Sequence, residues 1–145
     1  MNDEYGFILT VMFTSFKLSV IDVVESIATV LVLATGGFYP IIAPLIGALG
    51  TFVTGSDTSA NVLFGALQVK VAGELGMNPY WLAAANTGGA TAGKMISPQS
   101  IAVATAATGI VGAEDKILRA TLKFCLAYVI ILGVIVFFGA KLFGF

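Results

Sequence analysis

Two clusters of polar side chains interrupt an otherwise apolar chain, one at residues 54–61 and one at residues 86–100. Most of these side chains are hydroxyls and amides, which donate hydrogen bonds to a carboxylate and can also accept them. Helix ends at membrane depth add unpaired backbone N–H groups with partial positive charge, which favour anions. We therefore predict that the two clusters bind a small carboxylate. The predicted binding residues are Ser56, Thr58, Ser59, Asn61, Asn86, Thr87, Gly88, Gly89, Lys94, Ser97, Gln99 and Ser100.

Asp57 and Lys94 are the charged residues within these clusters, and each permits more than one interpretation. Asp57 is either the N-cap of the helix that follows it or a coupling carboxylate whose proton moves with the substrate, and the two roles are compatible. Lys94 either attracts the substrate anion, alone or paired with Asp57, or extends to the membrane interface without a partner. We take Asp57 as the candidate coupling residue and Lys94 as a candidate binding residue.

The rest of the composition lacks the residues that are typical of an enzyme active site, a metal site or a nucleic-acid-binding surface. The chain has no histidine, a single cysteine (Cys125) and a net charge of −1. Residues 88–94 fit the pattern G-x-x-x-x-G-K, but Met95 stands where a P-loop has the hydroxyl that binds Mg²⁺, and the segment before it is predicted to be a helix rather than a strand. We therefore predict no catalytic residues, no metal, no cofactor and no nucleic-acid partner.

The elements that carry the polar clusters are predicted to be membrane helices. Of the 145 residues, 58% are apolar and 10% are charged, and the mean hydropathy is +1.00. A soluble domain of this composition would lack the polar residues to cover its surface, whereas a lipid bilayer suits it. Residues 124–140 are uncharged between Lys123 and Lys141, which matches a bilayer core of roughly 30 Å. The predicted fold class is an all-α, polytopic membrane protein.

The predicted elements are a helix at residues 19–37, a re-entrant helical hairpin at 41–75, a discontinuous transmembrane helix at 79–109 and a final helix at 115–142. The hairpin consists of two apolar stretches, each too short to span, on either side of the first polar cluster. The discontinuous helix opens at Asn78 and Pro79, is expected to fail at residues 87–93, and restarts with Ser97 as N-cap and Pro98 in the first turn. We expect about three full crossings besides the hairpin. Interrupted segments of this kind are typical of the binding site of a secondary transporter.

Longer motifs surround both clusters. They are Pro44-Leu45-Ile46-Gly47, Thr54-Gly55-Ser56-Asp57-Thr58-Ser59-Ala60-Asn61-Val62-Leu63-Phe64, Asn86-Thr87-Gly88-Gly89, Gly93-Lys94-Met95-Ile96-Ser97-Pro98-Gln99-Ser100-Ile101-Ala102 and Gly109-Ile110-Val111-Gly112. In order and spacing, over about residues 21–119, they resemble the C-terminal portion of the L-lactate permease family. The run at residues 93–102 is the most specific of them.

The resemblance implies a multi-pass secondary transporter of the bacterial cytoplasmic (inner or plasma) membrane that moves lactate, and often glycolate, together with protons. Its partners would be the substrate with a co-transported proton, the lipid bilayer and the missing N-terminal portion of the permease, because members of the family are several times longer. The 145 residues would then form a single membrane domain, a C-terminal fragment. The alternative is a truncated, non-transporting membrane subunit or scaffold, which has no need of two polar breaks at membrane depth.

Overall fold

The computed structural model describes residues 3–110 and 112–144, which contain six α-helices and no strand. This confirms the predicted all-α fold class. A 3-10 turn, Gly36–Phe38, joins the first two helices. The helices are α1 Asp3–Thr35, α2 Tyr39–Thr54, α3 Asp57–Leu75, α4 Pro79–Lys94, α5 Pro98–Thr108 and α6 Glu114–Phe143.

Two segments are long and apolar enough to cross a membrane, Glu25–Thr54 and Glu114–Phe143, each of 30 residues. On α6, Phe124, Ile130 and Phe138 are each 62% exposed, as expected of side chains that face lipid. Helices α2 to α5 contain 16, 19, 16 and 11 residues. At about 1.5 Å per residue, none of these four helices exceeds the roughly 30 Å of a bilayer core. The re-entrant hairpin and the number of crossings remain predictions.

Helix α1 begins at Asp3, so the helix predicted from residue 19 is the C-terminal part of a longer one. Side chains on this part bind α3. Lys70 Nζ forms an ion pair with Glu25 Oε1 at 2.8 Å, and Thr29 Oγ1 donates a hydrogen bond to Glu74 Oε1 at 3.2 Å. The hydrogen bond to Glu25 raises the pKa of the Lys70 ammonium above its ordinary value.

Helices α2 and α4 pack with their backbones in direct contact. Gly89 faces the carbonyl group of Pro44 and Gly93 faces that of Ala48, so that a Cβ atom at either glycine would overlap the facing backbone. The second pair lies four residues after the first on both helices, which means that α2 and α4 run in the same direction. Glycines four residues apart share one helix face and allow this close approach.

The predicted break at residues 87–93 is wrong, because α4 continues without interruption to Lys94. Glycine lowers helix stability by about 1 kcal/mol per residue relative to alanine. Gly89 and Gly93 nevertheless lie within the helix, since their lack of a side chain permits the packing of α4 on α2. The interruption between α4 and α5 is therefore confined to residues 95–97.

The predicted starts of α4 and α5 are confirmed. Asn78 and Ser97 are their N-caps, and each helix has a proline in its first turn. The buried core lies between α1, α2, α3, α4 and α6, and it holds the two polar clusters on neighbouring elements. Its largest members are Tyr39, Leu67, Val71, Leu82 and Val136.

Candidate functional site

The hairpin tip, residues 54–59 between α2 and α3, is held by local hydrogen bonds. Gly55 ends α2 with a φ of 72°, a left-handed conformation that favours glycine, and its N–H donates to the carbonyl of Thr51. Ser56 Oγ accepts a hydrogen bond from the N–H of Ser59 at 3.3 Å. Ser56 is therefore the N-cap of α3, so the interpretation of Asp57 as this N-cap, one of the two considered for it, is wrong. The hydroxyl of Ser56 satisfies the cap and leaves the Asp57 carboxylate for other contacts.

The Asp57 carboxylate lies in the first turn of α3, where the helix N-terminus favours a negative charge. Its Oδ1 atom accepts a hydrogen bond from Thr51 Oγ1 at 3.4 Å, and Thr51 is fully buried. The Asp57 side chain is half-buried. Within residues 3–110 and 112–144 the ion pairs are Lys70 with Glu25 and Arg119 with Asp115, so the alternative of a direct pair between Asp57 and Lys94 is not formed.

The helix break, residues 95–97 between α4 and α5, presents the N-terminus of α5. Ser97 is fully buried, and its hydroxyl accepts a hydrogen bond from the N–H of Ser100 at 3.5 Å. Pro98 has no N–H group. The N–H of Gln99 is the remaining first-turn donor, because helix N-termini leave these groups without intrahelical partners.

The hairpin tip and the helix break contact each other and form one polar site. Lys94 Nζ donates a hydrogen bond to the Gly55 carbonyl oxygen at 2.8 Å. The side chain of Gln99 packs on Gly55 so closely that a Cβ atom there would overlap Gln99 Oε1. Lys94 therefore has a partner, which excludes the interpretation that it extends to an interface and contacts nothing. The polar clusters around residues 55 and 94 meet through these two contacts.

A chain of hydrogen-bonded side chains, here called the amide relay, joins α2, α3 and α4 and ends at Asn61, four residues after Asp57. Tyr39 Oη donates to Gln68 Oε1 at 3.0 Å, and Gln68 Nε2 donates to Asn86 Oδ1 at 3.2 Å. Asn86 Nδ2 then donates to Asn61 Oδ1 at 2.9 Å. Thr87 Oγ1 lies 3.1 Å from the same Asn61 oxygen and 3.0 Å from the Ala83 carbonyl oxygen, so its one hydrogen is shared between these two acceptors. Tyr39, Gln68 and Asn86 are each 0% exposed, so these three members of the relay are shielded from water.

Tyr39 and Gln68 are members of the relay that the sequence analysis missed. A signal for Gln68 was available, because it follows Asn61 by seven residues and so lies two turns along the same face of α3. No comparable spacing links Tyr39 to the others, since it belongs to a different helix. Among the described residues, no three or more histidine, cysteine, aspartate or glutamate side chains lie together so that they could hold a metal ion.

Comparison with known proteins decides the family. The profile of the family described as L-lactate permease matches residues 5–143. The chain belongs to this family. It is 51% identical over 114 residues to glycolate permease GlcA of Escherichia coli (strain K12), a match that covers 78% of this chain and 20% of the relative. It is 52% identical over 101 residues to the L-lactate permease of the same strain, covering 70% of this chain and 18% of the relative.

A third member of the L-lactate permease family, from Bacillus subtilis (strain 168), is 47% identical over 110 residues, covering 76% of this chain and 20% of the relative. The chain thus spans about a fifth of the length of the curated permeases that it matches. No solved structure matches it. Membership in a permease family, together with two segments able to cross a bilayer, makes the chain a membrane protein.

The predicted binding residues of this permease segment differ in accessibility. Those with exposed side chains are Thr58, Ser59, Thr87, Lys94 and Gln99, and those that are half-buried are Ser56, Asn61, Gly88 and Ser100. The buried ones are Asn86, Gly89 and Ser97. Each buried residue already contacts protein atoms: Asn86 in the amide relay, Gly89 against α2 and Ser97 at its cap. The accessible residues are the better candidates for direct contact with a ligand.

Proposed function

We propose that the chain is the C-terminal part of a multi-pass permease that carries out secondary active transport of L-lactate and similar small 2-hydroxy monocarboxylates across the bacterial cytoplasmic membrane, coupled to protons. Relatives named glycolate permease and L-lactate permease support this substrate class, because both acids carry a hydroxyl next to a carboxylate. The observation that carries the proposal is the contact of the hairpin tip with the helix break, in which Lys94 Nζ lies 2.8 Å from the Gly55 carbonyl oxygen.

The substrate carboxylate binds at this contact. The first turns of α3 and α5 supply the N–H groups of Thr58 and Gln99, at helix ends that favour an anion. Lys94 has three N–H donors and uses one on Gly55, which leaves two for the carboxylate. The hydroxyl of the substrate requires both a donor and an acceptor, which Ser59 and Ser100 supply. Lys94 and two helix N-termini together compensate the negative charge of the substrate.

Asp57 is the proposed coupling residue. It lies in the first turn of α3, immediately beside the hairpin tip that binds the substrate. The hydrogen bond from Thr51 holds the Asp57 carboxyl group in place in both its ionised and its protonated form. A proton taken up by Asp57 with the entry of a lactate anion, and released with it, makes the transported pair electrically neutral. This neutrality lowers the cost of moving the anion through the bilayer.

The first experiment is to read the genomic DNA upstream of the Met1 codon, in frame, and to express the complete reading frame in bacteria that lack their own lactate and glycolate permeases. Uptake of radiolabelled L-lactate is then measured at several external pH values. We expect accumulation above equilibrium that increases as external pH falls and is abolished by a protonophore. Unlabelled glycolate should compete, whereas propionate, which lacks the hydroxyl, should not.

The outcomes separate the two candidate functions. Proton-dependent lactate accumulation supports the permease. A folded, membrane-inserted product that gives no lactate uptake from its complete reading frame contradicts transport, and it supports the alternative of a non-transporting subunit or scaffold.

A further inference from the structure

The amide relay has a defined direction. The Tyr39 phenol carries a single hydrogen, and in the described residues its acceptor is Gln68 Oε1. A fully buried donor left without an acceptor is strongly unfavourable, so Tyr39 holds the Gln68 oxygen toward itself. Gln68 must then present its N–H group to Asn86 Oδ1, and Asn86 must present its own to Asn61 Oδ1.

Asn61 is the last member, and its orientation follows from the others. Its Oδ1 atom accepts a hydrogen bond from Asn86 and lies 3.1 Å from Thr87 Oγ1, whose single hydrogen is shared with the Ala83 carbonyl oxygen. Its amide nitrogen therefore points away from the relay, and it has no partner among the described residues. Within that part of the chain every buried side-chain nitrogen or oxygen has a partner. The unpartnered nitrogen of the half-buried Asn61 consequently lies at the surface of the described residues.

We propose that Asn61 is a specificity-determining donor to the substrate carboxylate and that Tyr39, Gln68 and Asn86 are positioning residues that keep its N–H group outward. Asn61 lies four residues after Asp57, one turn from the hairpin tip on the same face of α3. A reversed Asn61 would present its oxygen, which repels a carboxylate. The inference rests on the proposed function, since it assigns a role within the same site.

The direction of the relay can be reversed at one position without changing side-chain shape. In Asn86→Asp the carboxylate only accepts hydrogen bonds, so it receives one from Gln68 and turns the N–H group of Asn61 inward. We expect the KM for L-lactate uptake by the complete reading frame to rise on the order of 10- to 100-fold, the range for losing one hydrogen bond to a charged group. The matched control is Asn78→Asp at the N-cap of α4, where aspartate caps equally well and KM should stay unchanged.

A double-mutant cycle with Asn61→Ala distinguishes the relay from a general structural effect. If Asn86 acts through Asn61, Asn86→Asp should raise KM less than about threefold in the Asn61→Ala background. This small residual rise in KM would come from repulsion between the new carboxylate and the substrate carboxylate. An effect of the same size in both backgrounds, or an unchanged KM in folded Asn86→Asp, overturns the inference. Absence of uptake by the unmodified protein would contradict the proposed function itself, and the inference with it.

If thermal unfolding shows that the Asn86→Asp variant does not fold, the Tyr39→Phe variant is tested in its place. Without the phenol hydrogen, both amide orientations become similar in energy, so about half of the molecules keep Asn61 outward and KM should rise about twofold. This rise should vanish in the Asn61→Ala background and should be absent from Tyr80→Phe, a tyrosine that is 83% exposed. A rise that persists in Asn61→Ala contradicts the relay.

Discussion

At the scale of single residues, Lys94 combines two stabilising positions. It lies in the last turn of α4, and its ammonium also binds the carbonyl of Gly55 at the C-terminus of α2. Helix C-termini carry partial negative charge, so each is worth roughly 0.3–1 kcal/mol to a nearby cation. The same ammonium retains donors for an anion. Its position is thus specified by two helix ends and does not depend on the substrate.

Replacing Lys94 with methionine tests its role as a binding residue. The variant keeps the unbranched side chain but loses the charge, so we expect the KM for lactate to rise about tenfold or more, as for loss of a hydrogen bond to a charged group. Lys116→Met, at an exposed position in the first turns of α6, is the matched control and should leave KM unchanged. Equal effects of the two substitutions would contradict a binding role for Lys94.

Replacing Asp57 with asparagine tests whether this residue couples lactate transport to proton transport. Asparagine retains an oxygen that accepts the hydrogen bond from Thr51 but cannot titrate in the physiological range. Lactate should then equilibrate across the membrane without accumulating, and uptake should lose its dependence on external pH. Asp115→Asn in the first turn of α6 provides the control, with coupling intact. Unchanged pH dependence in Asp57→Asn would remove this role.

At the scale of elements, the contact between α2 and α4 positions the site. Gly89 and Gly93 bring the two backbones together, and this close packing carries the end of α4 to the end of α2. Lys94, one residue after Gly93, can therefore reach Gly55. The glycines act through packing, because packed interiors tolerate little added volume.

Gly89→Ala tests this packing. The new methyl group would overlap the Pro44 carbonyl, and backbone cannot move aside as a side chain does, so we expect a loss of about 2–3 kcal/mol in the free energy of unfolding. The control is Gly65→Ala in the middle of α3, where nothing lies within 4 Å and alanine should stabilise the helix by about 0.5–1 kcal/mol. Thermal unfolding in detergent measures both variants, and a stable Gly89→Ala protein would contradict the close contact.

At the scale of the whole molecule, the chain offers large apolar surfaces beside its polar site. Val53 and Val62 flank the hairpin tip and are 77% and 80% exposed. The chain also spans only about a fifth of the length of its curated relatives. A transport pathway with access from both sides requires walls around the substrate, and secondary transporters build these from two repeats. We infer that the remaining part of a permease supplies the other wall.

On the proposed function, the 145 residues expressed alone should enter the membrane without accumulating lactate, because they would form only one wall of the substrate pathway. Co-expression of the remaining segment of the complete reading frame as a separate chain should restore uptake. Immunoblotting of washed membranes verifies that both chains are present in each strain. Uphill accumulation by the 145 residues alone would contradict this prediction.

Features that depend on neighbouring residues could be predicted from the sequence. The apolar composition indicates membrane helices, the Asn78 and Ser97 caps mark the starts of α4 and α5, and the motifs around residues 54–61 and 93–102 indicate the L-lactate permease family. Caps are local because the side chain binds an N–H group only two or three residues away. The sequence does not select the cap of α3, since Ser56 and Asp57 are adjacent and only the backbone geometry of Ser56 distinguishes them.

Features that depend on which helix lies opposite could not be predicted. Gly89 and Gly93 lower the stability of an isolated helix but pack against α2 here, and only the position of α2 distinguishes these outcomes. The amide relay joins residues 39, 68, 86 and 61 from three helices, and the contact of Lys94 with Gly55 joins residues 39 positions apart. Hydrogen bonds of this kind require a separation near 3 Å, and for residues distant in the chain that separation is set by helix packing rather than by spacing along the sequence.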